Sequence, residues 1–279
     1  MGGFSFARPR PVVDAAAVTR DEATTHDEVV RTEFARQAPG FSEGSLFADP
    51  RLNGWVCRHL EPLTPEMIVL EVACGAAHQA QAVAERVRQV VGIDLTPEML
   101  EEGRRRLATT TVTNVLLEEG NASALPFVDE SFDLAYSRFA LHHVQDPVAV
   151  LAESSRVVRR GGRVAVIDLV SSDPELADRV NDYERRRDPS HTRALTIEDL
   201  DRAVASTGLE ILHRAQTEPT LAVDRWLEQA STPRDVGDAI VADLRAELAG
   251  GRPTGMRPVD QDGILSYRQT WEIVVAAKS

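Results

Sequence analysis

Two carboxylates and a turn of small residues carry the first chemical signal in the chain. An apolar run over 67–72 contains Glu71, and Ala73-Cys74-Gly75-Ala76-Ala77 follows it directly. Small residues let a ligand approach the backbone closely, and the start of the next helix offers free N–H groups. Asp94 ends the next apolar run, nineteen residues after Gly75. A carboxylate there can accept both hydroxyls of a ribose, so this set of residues implies a nucleoside cofactor. The dinucleotide fingerprint G-x-G-x-x-G is present only as Ala73-x-Gly75-x-x-His78. Its first glycine is alanine, and its third, which permits tight helix–strand packing, is histidine. That argues against nicotinamide and flavin dinucleotides. The pair His142-His143 suggests a metal, but adjacent residues on a helix or turn point apart and no carboxylate motif joins them, so no metal site is expected. Cys74 has no candidate base near it in sequence and reads as a small packing residue. Lys278 is the single lysine, one residue from the end of the sequence, which removes Schiff-base chemistry and the lysine-dependent phosphate loop.

The elements that must hold these residues alternate. Strands are expected over 67–72, 89–94, 111–117, 132–137 and 163–170, with helices over 77–88, 96 onward and 146–160 between them. Thr96 with Pro97 opens one of these helices, as N-cap and first-position proline. Strands alternating with helices in this way predict a doubly wound α/β fold with a parallel sheet covered on both faces. Beyond it come a helix over 196–207, a strand over 209–215, helical segments over 222–248 broken at Pro233, a Gly/Pro-rich loop over 250–263 and one long final strand over 266–277. Upstream, residues 1–13 read as unstructured, and helices are expected over 14–37 and 50–59. Segments 171–195 and 219–263 exceed what simple connections need and are expected to form lids over the strand ends.

Five stretches in register resemble the class I S-adenosylmethionine-dependent methyltransferases. Glu71-Val72-Ala73-Cys74-Gly75-Ala76-Ala77 is similar to their first motif, acidic-x-G-x-G-x-G, with alanine at 73 and 77. Alanine costs little where φ is negative, so the turn is expected to survive. Val91 to Leu100 resembles VxGxDxSxxML, Glu119 to Phe127 resembles GDAxxLPF with Asn121 for aspartate, Ser131 to His143 resembles SFDxVxxxxALHH, and Arg156 to Arg163 resembles RVLKPGGR. The resemblance spans residues 67–170 and is nearest the small-molecule branch that includes the quinone C-methyltransferases. Phe34 to Phe41 resembles that branch's N-terminal FxxxAxxY lid. The resemblance implies a Rossmann-like, mostly parallel seven-stranded sheet with an antiparallel last strand and helical cap elements. It divides the chain into an arm with lid helices over 1–60 and a methyltransferase domain over 61–279. Its implied cofactor residues are Glu71, Ala73, Cys74, Gly75, Asp94, Leu95, Met99, Asn121, Ala122 and Ser137. Asp94 would take the ribose hydroxyls and Met99 would pack on adenine. An Asn121 carbonyl can still accept the adenine N6–H.

Such an enzyme moves a sulfonium methyl by in-line displacement onto an oxygen, nitrogen or carbon atom, and the acceptor must lose a proton. A histidine titrating near neutrality suits that task. The expected bases are His191 first, then His142 and Tyr183. His191 ends an Arg-rich segment that reads first as a solvated helix and turn, yet it follows the fifth strand and would lie over the reacting methyl. Trp226, Tyr267 and Trp271 could line an apolar pocket, with core packing the simpler reading. A net charge of -13 excludes a broad basic footprint for nucleic acid and attraction to anionic membranes, and no apolar run approaches a membrane span. The start of the sequence does not read as a signal peptide, and two cysteines give no disulfide framework, so a cytoplasmic setting is expected. The expected partner is a small-molecule acceptor, a secondary metabolite or quinone-like compound, with no nucleic acid, no membrane insertion and a homodimer left open. Two other readings stand beside this one: a non-methylating enzyme on the same fold (a cyclase or rearrangement catalyst), and a cofactor-binding protein without catalysis.

Overall fold

The computed structural model describes residues 25–41 and 46–279. The unstructured segment expected over 1–13 and the first part of the helix expected over 14–37 lie outside the described residues. The helices are α1 (His26–Gln37), α2 (Pro50–Leu60), α3 (His78–Ala84), α4 (Pro97–Leu107), α5 (Pro147–Val157), α6 (Ala177–Arg187), α7 (Ile197–Ser206), α8 (Val223–Gln229) and α9 (Arg234–Leu248). The strands are β1 (Ile68–Val72), β2 (Gln89–Asp94), β3 (Val115–Glu119), β4 (Phe132–Arg138), β5 (Val158–Ser171), β6 (Leu195–Thr196), β7 (Leu209–Thr217), β8 (Thr220–Ala222), β9 (Pro258–Gln261), β10 (Ile264–Arg268) and β11 (Thr270–Lys278).

Seven strands build the central sheet in the order β3-β2-β1-β4-β5-β11-β7, with β6 paired beside the end of β5. Neighbours from β3 to β5 run parallel, while β11 is antiparallel to both β5 and β7. The inner strands are apolar without alternation because each face is covered. Val69, Leu134, Ile167 and Ile273 pack with Val56 of α2 and Val83 of α3 on one face. Leu70, Ala135, Val166 and Val274 pack with Leu151 of α5 and Leu200 of α7 on the other. Local signals set the helix starts. Thr25 and Glu28 form a capping box on α1, Asp49 caps α2 ahead of Pro50, Asp146 caps α5 ahead of Pro147, and Thr196 caps α7.

Several expected elements differ in the structure: the helix expected over 146–160 ends at Val157, and the fifth strand, expected over 163–170, begins at Val158. The stretch 266–277 is two strands, since the chain turns at Gln269: β10 joins a separate antiparallel sheet, β8-β10-β9, and β11 enters the central one. The Gly/Pro-rich stretch 250–263 contains β9, whose first residue is Pro258 at the edge of that small sheet. The third strand begins at Val115, after the polar Thr/Asn stretch before it. Segments 171–195 and 219–263 pack on each other: Tyr183 of α6 joins Trp226 of α8, Ile240 and Leu244 of α9, Met256 and Tyr267 in one cluster. Among the described residues no helix is long and apolar enough to cross a membrane.

The turn between β1 and α3 corrects a further expectation. Ala73 has φ 55° and Ala77 φ 61°, flanking Gly75 at φ 51°. The two alanines occupy left-handed backbone, not the negative φ the sequence reading assumed. For an L-residue that conformation costs roughly 1–2 kcal/mol, offset in part by the smaller unfolded-state entropy of alanine compared with glycine. Ala73→Gly and Ala77→Gly should each raise unfolding free energy by roughly 0.5–1 kcal/mol, read from urea denaturation midpoints at unchanged slope.

Candidate active site

The carboxyl ends of β1, β2, β4 and β5 open into a cavity of about 480 Å³. Its floor at β1 and β2 is fixed by Asp94. The Asp94 carboxylate accepts from the Gly75 N–H at 2.7 Å and from the Thr96 N–H at 2.9 Å. Burial pushes its pKa up, and these backbone donors counteract that rise. Gly92 sits where a Cβ would lie 2.8 Å from the Cys74 sulfur, so its missing side chain is what lets Cys74 tuck under the turn. Burial, then Asp94 and Glu71, raise the Cys74 thiol well above its ordinary value, which leaves it an inert packing group.

Glu71 also lines this cavity, and its Oε2 is buried with no hydrogen-bond partner. Burial raises its pKa to about 7, against the pull of Arg138. Arg138, at the end of β4, is itself buried: its Nη1 donates to Asn53 Oδ1 at 2.7 Å and to Gln79 Oε1 at 3.3 Å, and its guanidinium lies over the rings of Phe47 and Phe139. Arg138 went unnoticed in the sequence; a cation closing a strand centred on Leu134-Ala135-Tyr136 was the available signal. Leu95, Met99 and Ala122 line the cavity, and Met99 packs with Ala38, Phe41 and Ala76. Asn121 lines it too, but its carbonyl already accepts from the Ser123 N–H at 2.8 Å, while its amide donates to Asp27 Oδ2 at 2.8 Å.

That last bond is one of several that latch α1 across the cavity. His26 Nε2 lies 2.6 Å from the His143 carbonyl, Gln37 donates to Asp188 Oδ2 at 3.1 Å, and Arg36 donates to the Ala230 carbonyl at 2.8 Å. Just beyond α1, His78 Nε2 lies 2.7 Å from the Phe41 carbonyl. The histidine that spoiled the dinucleotide fingerprint thus holds the lid segment.

At the far side stands an acid–base pair. His142 Nδ1 is 2.5 Å from Asp168 Oδ1, and both side chains are buried. Asp168 is fixed by the Leu141 N–H on Oδ2 and the Leu169 N–H on Oδ1, each at 2.7 Å. With Nδ1–H donated to a carboxylate, His142 presents the Nε2 lone pair, and Nε2 has no partner among the described residues. His143 is held similarly but through a relay, Nδ1 to Ser190 Oγ at 3.0 Å and Ser190 to Asp188 at 2.5 Å. Burial, reinforced by His142, pushes His143 down to about 3, so it resists taking a proton.

The structure does not bring the other expected residues to this cavity. His191, the first expected base, is 3% exposed, lies outside the cavity lining and has Nε2 bound to Asn181 Oδ1 at 2.8 Å. Burial and the neighbouring His142 and His143 lower its pKa far below the usual range. Tyr183 also lies outside the lining: its hydroxyl donates to Asp243 Oδ2 at 3.1 Å, on the cap side. Ser137 is buried off the cavity because alternation along β4 turns Arg138, not Ser137, toward it. Asp168 was missed, although a charged residue inside the apolar run of β5 was legible as an anomaly.

A methyltransferase domain model matches residues 70–166. The Bacillus subtilis protein YcgJ, described as an uncharacterized methyltransferase, is 30% identical over 233 residues, which cover 83% of this chain and 92% of that protein. The chain belongs to the S-adenosylmethionine-dependent methyltransferases. A demethylmenaquinone methyltransferase from Listeria monocytogenes is 40% identical to this methyltransferase over 111 residues, 39% of this chain and 46% of that enzyme. The solved structure of YcgJ superposes with a TM-score of 0.70 at 27% identity, over 82% of this chain and 99% of that one. A Bacillus halodurans structure superposes at 0.74 with 25% identity, covering 81% and 98%.

The buried histidines of this methyltransferase set its acid response. His78 and His143 have folded pKa values lowered to about 4 and about 3, and His191 is lowered further, mainly by burial in each case. Below the unfolded value of about 6.5 the unfolded chain binds protons these residues refuse. Their contribution is therefore complete above that pH and is lost as pH falls toward the folded values. Thermal midpoints should drop steadily from pH 6.5 to pH 4, and His78→Gln should flatten the slope in calorimetric scans over that window.

Proposed function

We propose that this methyltransferase acts on a hydroxyl-bearing small molecule, with His142 as general base and Asp168 as the group that orients it. The observation that carries the reading is the His142–Asp168 pair, whose unpartnered Nε2 belongs to a residue lining the same cavity as Asp94 and Glu71.

The residues present fit S-adenosylmethionine. Glu71 Oε2 is a buried acceptor lacking a donor, suited to an ammonium. Asp94 is pinned by backbone donors and keeps lone pairs for ribose hydroxyls. A Cβ added at Gly75 would meet nothing within 4 Å, so the turn leaves room beside it. Arg138 offers a charge for a carboxylate. Ala73, Cys74, Leu95, Met99, Asn121 and Ala122 would complete the enclosure, with Asp27 reaching in from the lid through Asn121. When bound, the cofactor supplies a methyl already activated by its sulfonium.

The protein's own work is then orientation, proton removal and exclusion of water. His142 Nε2 accepts the acceptor's hydroxyl proton, and Asp168 stabilises the resulting imidazolium through Nδ1–H. Phe34 of α1, edge-on to His143 with ring centroids 4.8 Å apart, shields this side from water. Removal of a hydroxyl proton by the imidazole beside Asp168 prepares the acceptor oxygen as the nucleophile for the methyl. Segments 171–195 and 219–263 act as the cap that admits the acceptor.

His142→Asn and Asp168→Asn should each lower turnover by about 10²–10⁴ while leaving S-adenosylhomocysteine affinity within a few fold. Full turnover in both variants would sink the assignment of the base. In calorimetry, Asp94→Ala should weaken S-adenosylhomocysteine binding by about a hundredfold or more, the loss of two charge-assisted hydrogen bonds.

A further inference from the structure

The cap side of the cavity is lined by hydrogen-bond donors, several without acceptors. Tyr267 is 1% exposed and Trp226 6% exposed, both line the cavity, and neither the Tyr267 hydroxyl nor the Trp226 Nε1 has a partner. Their rings lie 5.0 Å apart. Arg187 stacks over Trp226, its guanidinium carbon 5.1 Å from the ring centroid. Its Nε donates to the Trp226 carbonyl at 3.0 Å and its Nη1 to Glu184 Oε2 at 2.9 Å, while Nη2 has no acceptor among the described residues. The amide of Gln229, also on the lining, has no protein partner among them either. Buried donors left unpaired are costly, and a fold that keeps them in a cavity wall gains when a ligand supplies the acceptors.

The charge of Arg187 is already answered. Glu184, 1% exposed at its side chain, pairs with it, and Asp188 adjoins it in sequence and lines the cavity. This wall therefore offers donors and flat aromatic surface without net positive charge. An anion would gain little from it, and an ammonium would find its carboxylates already taken, Glu184 by Arg187 and Asp188 by Ser190 and Gln37.

Resting on the methyltransferase reading above, we propose that Arg187, Trp226, Gln229 and Tyr267 form the acceptor subsite. They select an uncharged aromatic compound whose carbonyl oxygen accepts hydrogen bonds from this wall while a ring hydroxyl points toward His142. The subsite thus favours hydroxylated aromatic ketones over aryl carboxylates and aryl amines.

The test is calorimetric titration of the protein with hydroxytetralone, tetrahydronaphthol (the same rings and hydroxyl without the carbonyl) and hydroxynaphthoate. Each titration is run with and without saturating S-adenosylhomocysteine, so the acceptor result stands apart from cofactor binding. Hydroxytetralone should bind most tightly. Tyr267→Phe and Trp226→Phe should each weaken hydroxytetralone by about 3- to 10-fold, more than either weakens tetrahydronaphthol, and leave S-adenosylhomocysteine unchanged. Tyr267→Phe should also melt at the same temperature as the wild type or higher, since it removes a buried hydroxyl that nothing satisfies. A hydroxyl with a merely structural role would give the opposite sign. Hydroxynaphthoate binding tighter than hydroxytetralone, no binding of hydroxytetralone, or unchanged hydroxytetralone affinity in both variants would overturn the proposal. Absent S-adenosylhomocysteine binding with hydroxytetralone behaving as stated would overturn the cofactor assignment alone.

Discussion

One carboxylate holds the two halves of the floor together. Asp94 closes β2 and reaches back to the Gly75 N–H in the turn after β1, while its other oxygen takes the Thr96 N–H at the start of α4. Both helix-opening turns of the site are thereby referenced to one rigid group. The β1–α3 turn needs such a clamp, because Ala73, Gly75 and Ala77 all carry positive φ and two of the three pay a steric cost for it. Backbone held in a poorly populated region persists only where its surroundings over-determine it. Here the surroundings are Asp94, the Cys74 N–H bonded to the Ile93 carbonyl at 2.9 Å, and Cys74 lodged against Gly92.

The clamp has an electrostatic consequence. Glu71, Asp94 and Arg138 are buried close to one another, and burial raises both carboxyls. The Asp94 charge is supported by backbone donors, while Oε2 of Glu71 has none. Two acids on neighbouring strand ends therefore differ, one a carboxylate held by backbone donors, the other with a buried oxygen that no donor reaches. The same logic separates the histidines. His142 touches a carboxylate directly, His143 reaches one only through Ser190, and His191 faces an amide. Only the first is a direct contact with a carboxylate at the edge of the cavity.

The sheet and the cofactor turn were legible because they are written locally. Apolar runs of strand length, Pro at helix starts and Thr or Asp at caps act within a few residues, and Glu71, Gly75 and Asp94 stand at strand ends that those runs define. The sign of φ at Ala73 and Ala77 was not legible, since a small side chain is compatible with either half of backbone space and the choice is made by Asp94 across the sheet. Choosing among His142, His191 and Tyr183 also required tertiary contacts. His191 and Tyr183 sit in the polar, Arg-rich segment where sequence suggests solvent, yet both are buried, with the Tyr183 hydroxyl bound to Asp243 of α9 and His191 Nε2 to Asn181 of α6. The split of 266–277 falls at Gln269, which donates to Glu184 of α6, distant in sequence, and accepts from Trp271 Nε1 of β11.

The division of labour between core and cap follows from rigidity. A base must stay within hydrogen-bond reach of the proton it takes, and displacements of an ångström are costly in rate. His142 is tied to β5 by Asp168, and β5 is paired on both sides within the central sheet, so its position is set by the stiffest part of the molecule. His191 lies on the cap connection, whose own small sheet and helices form a separate cluster. Recognition tolerates more motion than proton transfer, because hydrogen bonds to an acceptor's periphery need only form, not align with a reacting bond. The roles proposed above put recognition, by Tyr267, Trp226 and Arg187, on the cap and proton transfer, by His142 and Asp168, on the core, each demand on the element mechanically able to meet it.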